Sequence, residues 1–396
     1  MPMPMPFKPA KYRIVIAASL LCLVMGSIHA FSVFLTPLET TFGTSRGTVA
    51  LTYSFALIAI TLSVLAGPRI YSATYAHWIF FIAASLGGAG AILAAFAPSL
   101  WLVWLGYSLI FGIANGLAYG YGLQISAHVW PAREGIAMGC VTAAYALGSV
   151  LAPWVFEVAV KQGGFTTAML VLLAALGLVA CVSALLTWPC RVMFNPSGAI
   201  HAPRSIDTSK TAALWLAYCG GVLAGLMVIG HASAIAQQWS PGLSAWVAPA
   251  LIAGFNMLGC LATGRMIDQI SPSLLLGALA ITTSVVLVLL GLGVTSLGVL
   301  APLAVIGFCY GGTISAYPAA LIKQFGPQAG PRVFGQVFTA WGAAGLVGPW
   351  LAGRIFDVSG SYDLAILIAS SASALSLGAL VIAYGPQHRK RGDTAG

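Results

Sequence analysis

Apolar residues run along this chain in unbroken blocks rather than in the alternating pattern of a half-buried strand. The blocks lie at 14–36, 48–68, 77–97, 100–127, 135–157 and 165–189, and again at 211–236, 245–266, 273–294, 297–322, 333–354 and 362–384. A helix rising about 1.5 Å per residue needs roughly 20 apolar residues to cross a hydrocarbon core about 30 Å thick. In that core each backbone polar group must be satisfied by the segment itself, so the pattern predicts an all-α membrane protein of twelve transmembrane helices. Residues 191–210, RVMFNPSGAIHAPRSIDTSK, mix Pro, Gly, Ser and charge and predict a linker. The expected organisation is a lead over 1–13, a six-helix bundle over 14–190, the linker 191–210, a second six-helix bundle over 211–384 and a tail over 385–396.

The two sets of six carry a faint internal repeat. Residues 135–154, GIAMGCVTAAYALGSVLAPW, lie without a gap over 331–350, PRVFGQVFTAWGAAGLVGPW, matching Gly139 with Gly335, Val141 with Val337 and Pro153-Trp154 with Pro349-Trp350. Gly67 corresponds to Gly264, and His29-Ala30 resembles His231-Ala232. Parallel duplication of this kind predicts two pseudo-symmetric bundles. Glycines spaced by three or four, as at Gly112, Gly116 and Gly120 or Gly342, Gly345 and Gly348, put small residues on one helix face and let helices approach closely.

Composition strengthens this picture. Hydrophobic residues make up 59% of the chain and charged residues 6%, with a mean hydropathy of +0.95, more apolar than a water-soluble domain can cover. The net charge of +9 raises nucleic acid as a partner, but the charges sit between blocks. If the segments alternate from a cytoplasmic N-terminus, fourteen of the 17 Lys and Arg fall inside and only Arg46, Lys161 and Arg354 outside. That is the positive-inside distribution. It places both termini in the cytoplasm and removes the case for nucleic acid, since no basic run is interleaved with aromatics. Seven cysteines without CxxC spacing read as small buried hydrophobes. The first apolar run is too long for a cleaved signal peptide.

Three segments, 26–34 (GSIHAFSVF) followed by Pro37-Leu38, 130–139 (WPAREGIAMG) and above all 325–362 (FGPQAGPRVFGQVFTAWGAAGLVGPWLAGRIFDVSGSY), resemble the oxalate/formate antiporter family of the major facilitator superfamily, relatives of the monocarboxylate transporters. The resemblance implies two six-helix bundles around a central substrate cavity. It also implies the superfamily loop motif, present as Gly264, Arg265 and Asp268, with a reduced counterpart at Gly67-Pro68-Arg69 that lacks the acid. Relatives that carry dicarboxylates place an Arg in the eighth helix and a Lys in the eleventh; Cys260 and Ala344 stand at those positions here. A dianion stripped of water in an apolar cavity without those cations is strongly disfavoured, which argues against oxalate.

Polar, mostly neutral side chains remain. His29 in the first span and His231 in the seventh are intramembrane ionisable groups and hence candidates for proton coupling; each could instead hydrogen-bond a neighbouring helix. Tyr119, Tyr145, Tyr317 and Trp341 match positions that line the family's cavity and, with His29 and Asn256, form the expected substrate-binding set, with Tyr121 and Tyr310 as neighbouring alternatives. Asn115, Gln124 and Gln336 add amides that serve as ligand contacts or interhelical glue. Arg69, Gly264, Arg265 and Asp268 are assigned to gating.

An enzyme is not expected: the eight Asp and Glu lie near loops, the six His are scattered, and no GxxxxGK phosphate loop exists. No cofactor or metal is implied. The expected function is secondary transport by alternating access, with proton-linked carriage of a small monocarboxylate or similar organic anion. The alternatives are a neutral or zwitterionic organic solute, such as a metabolite, drug or siderophore, and organic-anion exchange. The expected partners are a small-molecule substrate, a proton and the bilayer of a plasma membrane (an inner membrane in a Gram-negative cell). One chain supplies both bundles, so a monomer suffices.

Overall fold

Several helix ends fall where the apolar run meets a glycine or a proline, as at Gly43, Pro131 and Gly360. A computed structural model describes residues 8–71, 75–194, 208–293 and 298–385; most of the predicted linker 191–210 and tail 385–396 lies outside the described residues. Helix α1 covers 8–42, with α-helix at Lys8–Met25 and Leu35–Phe42 joined by a 3-10 stretch at Gly26–Phe34. α2 is Arg46–Tyr71 and α3 is Ala76–Ala95. α4 runs over 100–129 and includes a π-helical stretch at Trp104–Phe111. The long run Glu134–Thr187 turns back on itself at Gly163 and Gly164, where φ of 70° at Gly164 demands glycine, giving α5 (134–162) and α6 (165–187).

The second half repeats the scheme. α7 covers 208–239, kinked at His231 between Thr208–Gly230 and Ala232–Trp239. α8 is Val247–Met266 and α9 is Pro272–Gly291. Leu300–Ser359 breaks at Gly326, φ 83°, into α10 (300–325) and α11 (327–359), and α12 is Asp363–Tyr384. Ten stretches of the described residues pass a test of length and apolarity for membrane crossing, and one of them, Pro131–Cys190, is the doubled pair α5–α6. The continuation of α10 past Gly326 supplies the twelfth helix.

Several helix ends differ from expectation: α1 runs to Phe42 rather than 36, and α5 to 162 rather than 157. Helix is already present at Lys8, inside the predicted lead. α11 continues to Ser359 rather than 354, and Gly360, in the left-handed region at φ 71°, ends it.

All chain entries and exits of the even helix pairs put residues 8 and 385 on one face, called here the terminal face; the loops at 43–45, 96–99, 240–246 and 360–362 lie on the opposite, distal face. Helices α6, α9 and α12 expose large apolar side chains, Leu178, Leu185, Leu274, Leu375 and Val381 among them. In water these would be costly; against lipid they are at home. Every described Lys, Arg, Asp and Glu lies close to a helix end.

Candidate functional site

The site begins with two glycines. A Cβ on Gly26 would sit 2.0 Å from the Tyr145 carbonyl oxygen, and one on Gly148 would sit 1.7 Å from that of Leu23, so α1 and α5 meet backbone to backbone only because both side chains are missing. At the same point α1 leaves α-helical geometry, which frees carbonyls that lipid cannot satisfy. Side chains from neighbouring helices take them up: Asn115 Nδ2 donates to Met25 O at 2.6 Å and Ser149 Oγ to Gly26 O at 2.8 Å.

That repair fixes a directed chain of hydrogen bonds around His29. With its amide nitrogen committed to Met25, Asn115 presents Oδ1 to the Tyr145 hydroxyl, which donates to it at 3.2 Å. The Tyr145 oxygen then accepts from His29 Nε2 at 3.5 Å, and His29 Nδ1 accepts from the Tyr53 hydroxyl at 2.7 Å. A neutral imidazole with its proton on Nε2 satisfies the chain. Tyr119 packs on Tyr145 with ring centroids 4.9 Å apart.

Across the interface stands the second half. Trp341 Nε1 donates to the Tyr310 hydroxyl at 3.0 Å. The Cys260 thiol lies 3.1 Å from Gly311 O and 3.5 Å from Asn256 Oδ1. Around these side chains the described Lys, Arg, Asp and Glu residues lie only toward the helix ends.

His29, Tyr119 and Tyr145 of the predicted set therefore come together, whereas Trp341 bonds Tyr310 and Asn256 lies against Cys260 and Gly311 within the second bundle. Tyr317 does not join them: it packs on Tyr218 at 4.3 Å inside the second bundle, with its hydroxyl buried and without a partner among the described residues. Tyr53, the shortest contact of His29, was not singled out in the sequence, where it lies inside an apolar run without periodic signal. Tyr310, the acceptor of the Trp341 N–H, was named only as an alternative.

His231 lies at the distal end. Its Nε2 donates to Pro349 O at 2.7 Å, so Nδ1 accepts from the Tyr362 hydroxyl at 2.9 Å, and the Tyr362 oxygen accepts from Arg46 Nη1 at 3.2 Å. Arg46 grips Glu39 through Nε at 2.5 Å and Nη2 at 2.9 Å. Its guanidinium lies 4.1 Å over the Phe356 ring. Asp357 of α11 accepts from the backbone N–H groups of Arg46 and Gly47, both at 2.9 Å, and so caps α2 from the other bundle. Glu157 of α5 reciprocates, accepting from the Trp246 N–H at 2.8 Å at the start of α8, and Ser32 meets Ser233 at 3.0 Å between α1 and α7.

The two bundles are therefore sealed on the distal face. Helices α2 and α11 stay in touch inward to Leu57 with Gly345 and Thr61 with Gly342; two turns further, a Cβ on Gly335 would meet nothing within 4 Å. The seam opens toward the terminal face.

Of the gating set, Asp268 lies 4.0 Å from Lys323, whose ammonium also donates to Ile267 O, within the second bundle. Gly264 and Arg265 are exposed at the end of α8, and the Arg69 side chain lies outside the described residues. A separate apolar pocket opens between α8, α9 and α10, lined by Phe255, Met266, Leu275 and Phe308; it shares no residue with the His29 cluster.

Comparison with known proteins agrees with this architecture. The family model of the Major Facilitator Superfamily matches residues 16–349. The uncharacterized MFS-type transporter YhjX of Escherichia coli (strain K12) is 22% identical over 335 residues, covering 80% of this chain and 81% of that protein. An oxalate:formate antiporter of Oxalobacter formigenes is 21% identical over 386 residues, covering 94% and 91%. Among solved structures, a mutant of the nucleoside transporter NupG superposes with a TM-score of 0.73 at 14% identity, covering 95% of this chain and 100% of that one. A bacterial homologue of the human lysosomal transporter Spinster, inward-facing and unoccupied, gives 0.70 at 14% identity, covering 95% and 96%. With twelve helices in two bundles and a family match over most of its length, the chain belongs to the major facilitator superfamily and is a membrane transporter, not an enzyme.

Proposed function

We propose that this chain carries a small monocarboxylate together with a proton by alternating access, with His29 as the proton carrier. The observation that carries the reading is the directed chain through His29. Its neutral form is fully bonded, and a second proton on Nδ1 would face the Tyr53 hydroxyl that now donates to it. The imidazolium therefore lacks compensation when the site is empty, and a carboxylate beside it supplies that compensation. Proton and anion favour one another, and the pair crosses without net charge. The absence of a described Lys or Arg at mid-membrane supports a monoanion rather than oxalate.

In this reading the terminal face is cytoplasmic, following the positive-inside distribution, and the sealed distal seam corresponds to a state open to the cytoplasm. Arg46, Glu39, Tyr362 and His231 form the latch that must part when the other state forms. His231 takes part through that latch. A proton on its Nδ1 would compete with the Tyr362 donation and add a second cation near Arg46.

The test is uptake of lactate, which crosses bilayers poorly on its own, into proteoliposomes with an imposed pH difference. One pH unit is worth about 1.4 kcal/mol and accumulates a 1:1 cotransported monoanion about tenfold. His29→Gln is expected to abolish the accumulation while counterflow, if any survives, becomes independent of pH. Accumulation that persists in His29→Gln removes the carrier assignment. Uptake that moves charge refutes the 1:1 stoichiometry.

A further inference from the structure

Along α11 the residues Phe334, Phe338 and Trp341 recur at i, i+4 and i+7 and share one helix face. The same stripe continues to Gly345, which meets Leu57 of α2, so the stripe faces the opposite bundle. The Phe338 and Trp341 rings are parallel within 4° at 5.7 Å, and Phe334 follows at 5.7 Å from Phe338. Trp341 is buried, whereas Phe334 and Phe338 are half-buried on the side where the seam opens.

The indole N–H, the wall's one hydrogen-bond donor, is already given to Tyr310. The wall thus presents carbon to the seam between the bundles. Its length over seven residue steps is about 10 Å. At its inner end Gly345 meets Leu57 of α2, one helical turn from Tyr53, the hydroxyl partner of His29. The site therefore has a polar pole at its closed end and an aromatic wall running from it toward the open mouth.

From this polarity we infer that the substrate is a monocarboxylate with a sizeable apolar body, an aromatic ring or branched hydrocarbon of about six or more carbons. Its carboxylate sits at His29 and Tyr145, and its body lies along Phe338 and Phe334. The inference rests on the carboxylate assignment above and narrows it. A one- or two-carbon acid fills the pole and leaves the wall facing water, forgoing the apolar burial that the wall offers. A wall of carbon atoms also rejects a second carboxylate or a polyhydroxylated body, because neither finds a partner there.

Binding to the full chain in lipid nanodiscs tests it, with titration calorimetry of 3-phenylpropionate, lactate, oxalate and the neutral 3-phenylpropan-1-ol, each corrected against empty nanodiscs. The expected result is 3-phenylpropionate bound at least about tenfold more tightly than lactate, with no binding of oxalate. Phe338→Ala is expected to bring the ratio of phenylpropionate to lactate close to one, and Phe338→Leu, which keeps apolar volume and guards against a folding defect, to an intermediate value. Lactate bound as tightly as 3-phenylpropionate, or a ratio unchanged in both variants, overturns the apolar-body inference and leaves the carboxylate reading standing. The neutral alcohol bound as tightly as the acid overturns the carboxylate reading itself.

Discussion

At the scale of single residues, the centre of this molecule is organised by backbone repair. The 3-10 stretch around His29 leaves the carbonyls of Met25 and Gly26 to side chains of α4 and α5, and the way Asn115 answers that need decides how Tyr145 and His29 share their protons. Asn115 is fully buried. Asn115→Leu keeps the volume but leaves a carbonyl and a tyrosine hydroxyl without partners, each a loss of about 1–3 kcal/mol. A clear fall in the thermal midpoint of the detergent-solubilised protein is expected, together with loss of pH-dependent uptake. A variant as stable as the parent refutes the repair role. Gly148→Ala is more severe. Its Cβ would overlap the Leu23 carbonyl, so the α1–α5 contact cannot form, and size-exclusion chromatography should show little monodisperse protein.

At the scale of elements, the distal seam consists of two helix N-termini, each capped by an acid of the other bundle. Asp357 on α11 caps α2, and Glu157 on α5 caps α8, a reciprocal arrangement that follows the pseudo-symmetry of the halves. Each cap joins a carboxylate to the positive end of a helix in a partly buried place and is worth about 0.5–2 kcal/mol. Asp357→Asn or Glu157→Gln is therefore expected to raise maleimide labelling of a cysteine introduced at Ser32, which lies buried in this seam against Ser233. The double variant should exceed either single one, and labelling that stays at the parental level rejects the caps as closing elements. The sequence disclosed these elements unevenly. Twelve spans were legible because a bilayer imposes a length and an apolarity that few other structures satisfy. Helix ends were not, because Arg354 and Asp357 look like loop charges until α2 is seen to need a cap. His29 announced itself as an ionisable group in an apolar run, whereas Tyr53, Phe334 and Phe338 are unremarkable in such runs and gain meaning only from the helix opposite. The reverse holds for Tyr317, a good match by position that turns inward to Tyr218.

At the scale of the whole molecule, the contacts that cross between bundles are graded along the membrane normal. Charged and capping contacts lie at the distal end, close glycine contacts at Leu57–Gly345 and Thr61–Gly342 in the middle, and open space at Gly335 beyond. Two stiff bodies that touch along such a gradient can exchange the closed end for the open one by rocking about the middle, where glycines let one helix roll over another. The exchange must dissolve the Arg46 latch, whose partners Glu39 and Tyr362 come from different bundles. Under the proposed proton-linked carriage, an occupied, neutral site would stabilise bundle contact at the centre and lower the cost of that exchange, and an anion without its proton would not. Spin labels at Ser45 and Val358 report the distal ends of α2 and α11, and labels at Ala132 and Ser271 report the terminal side, all four positions being exposed. With a carboxylate substrate at acidic pH, electron–electron distance measurements should show the distal pair lengthening as the terminal pair shortens. The same substrate at alkaline pH should leave both pairs near their unliganded values, and His29→Gln should lose the response at either pH. Distances that change in the same direction at both ends would mean that the bundles separate rather than rock, and a response indifferent to pH would detach the motion from the proton.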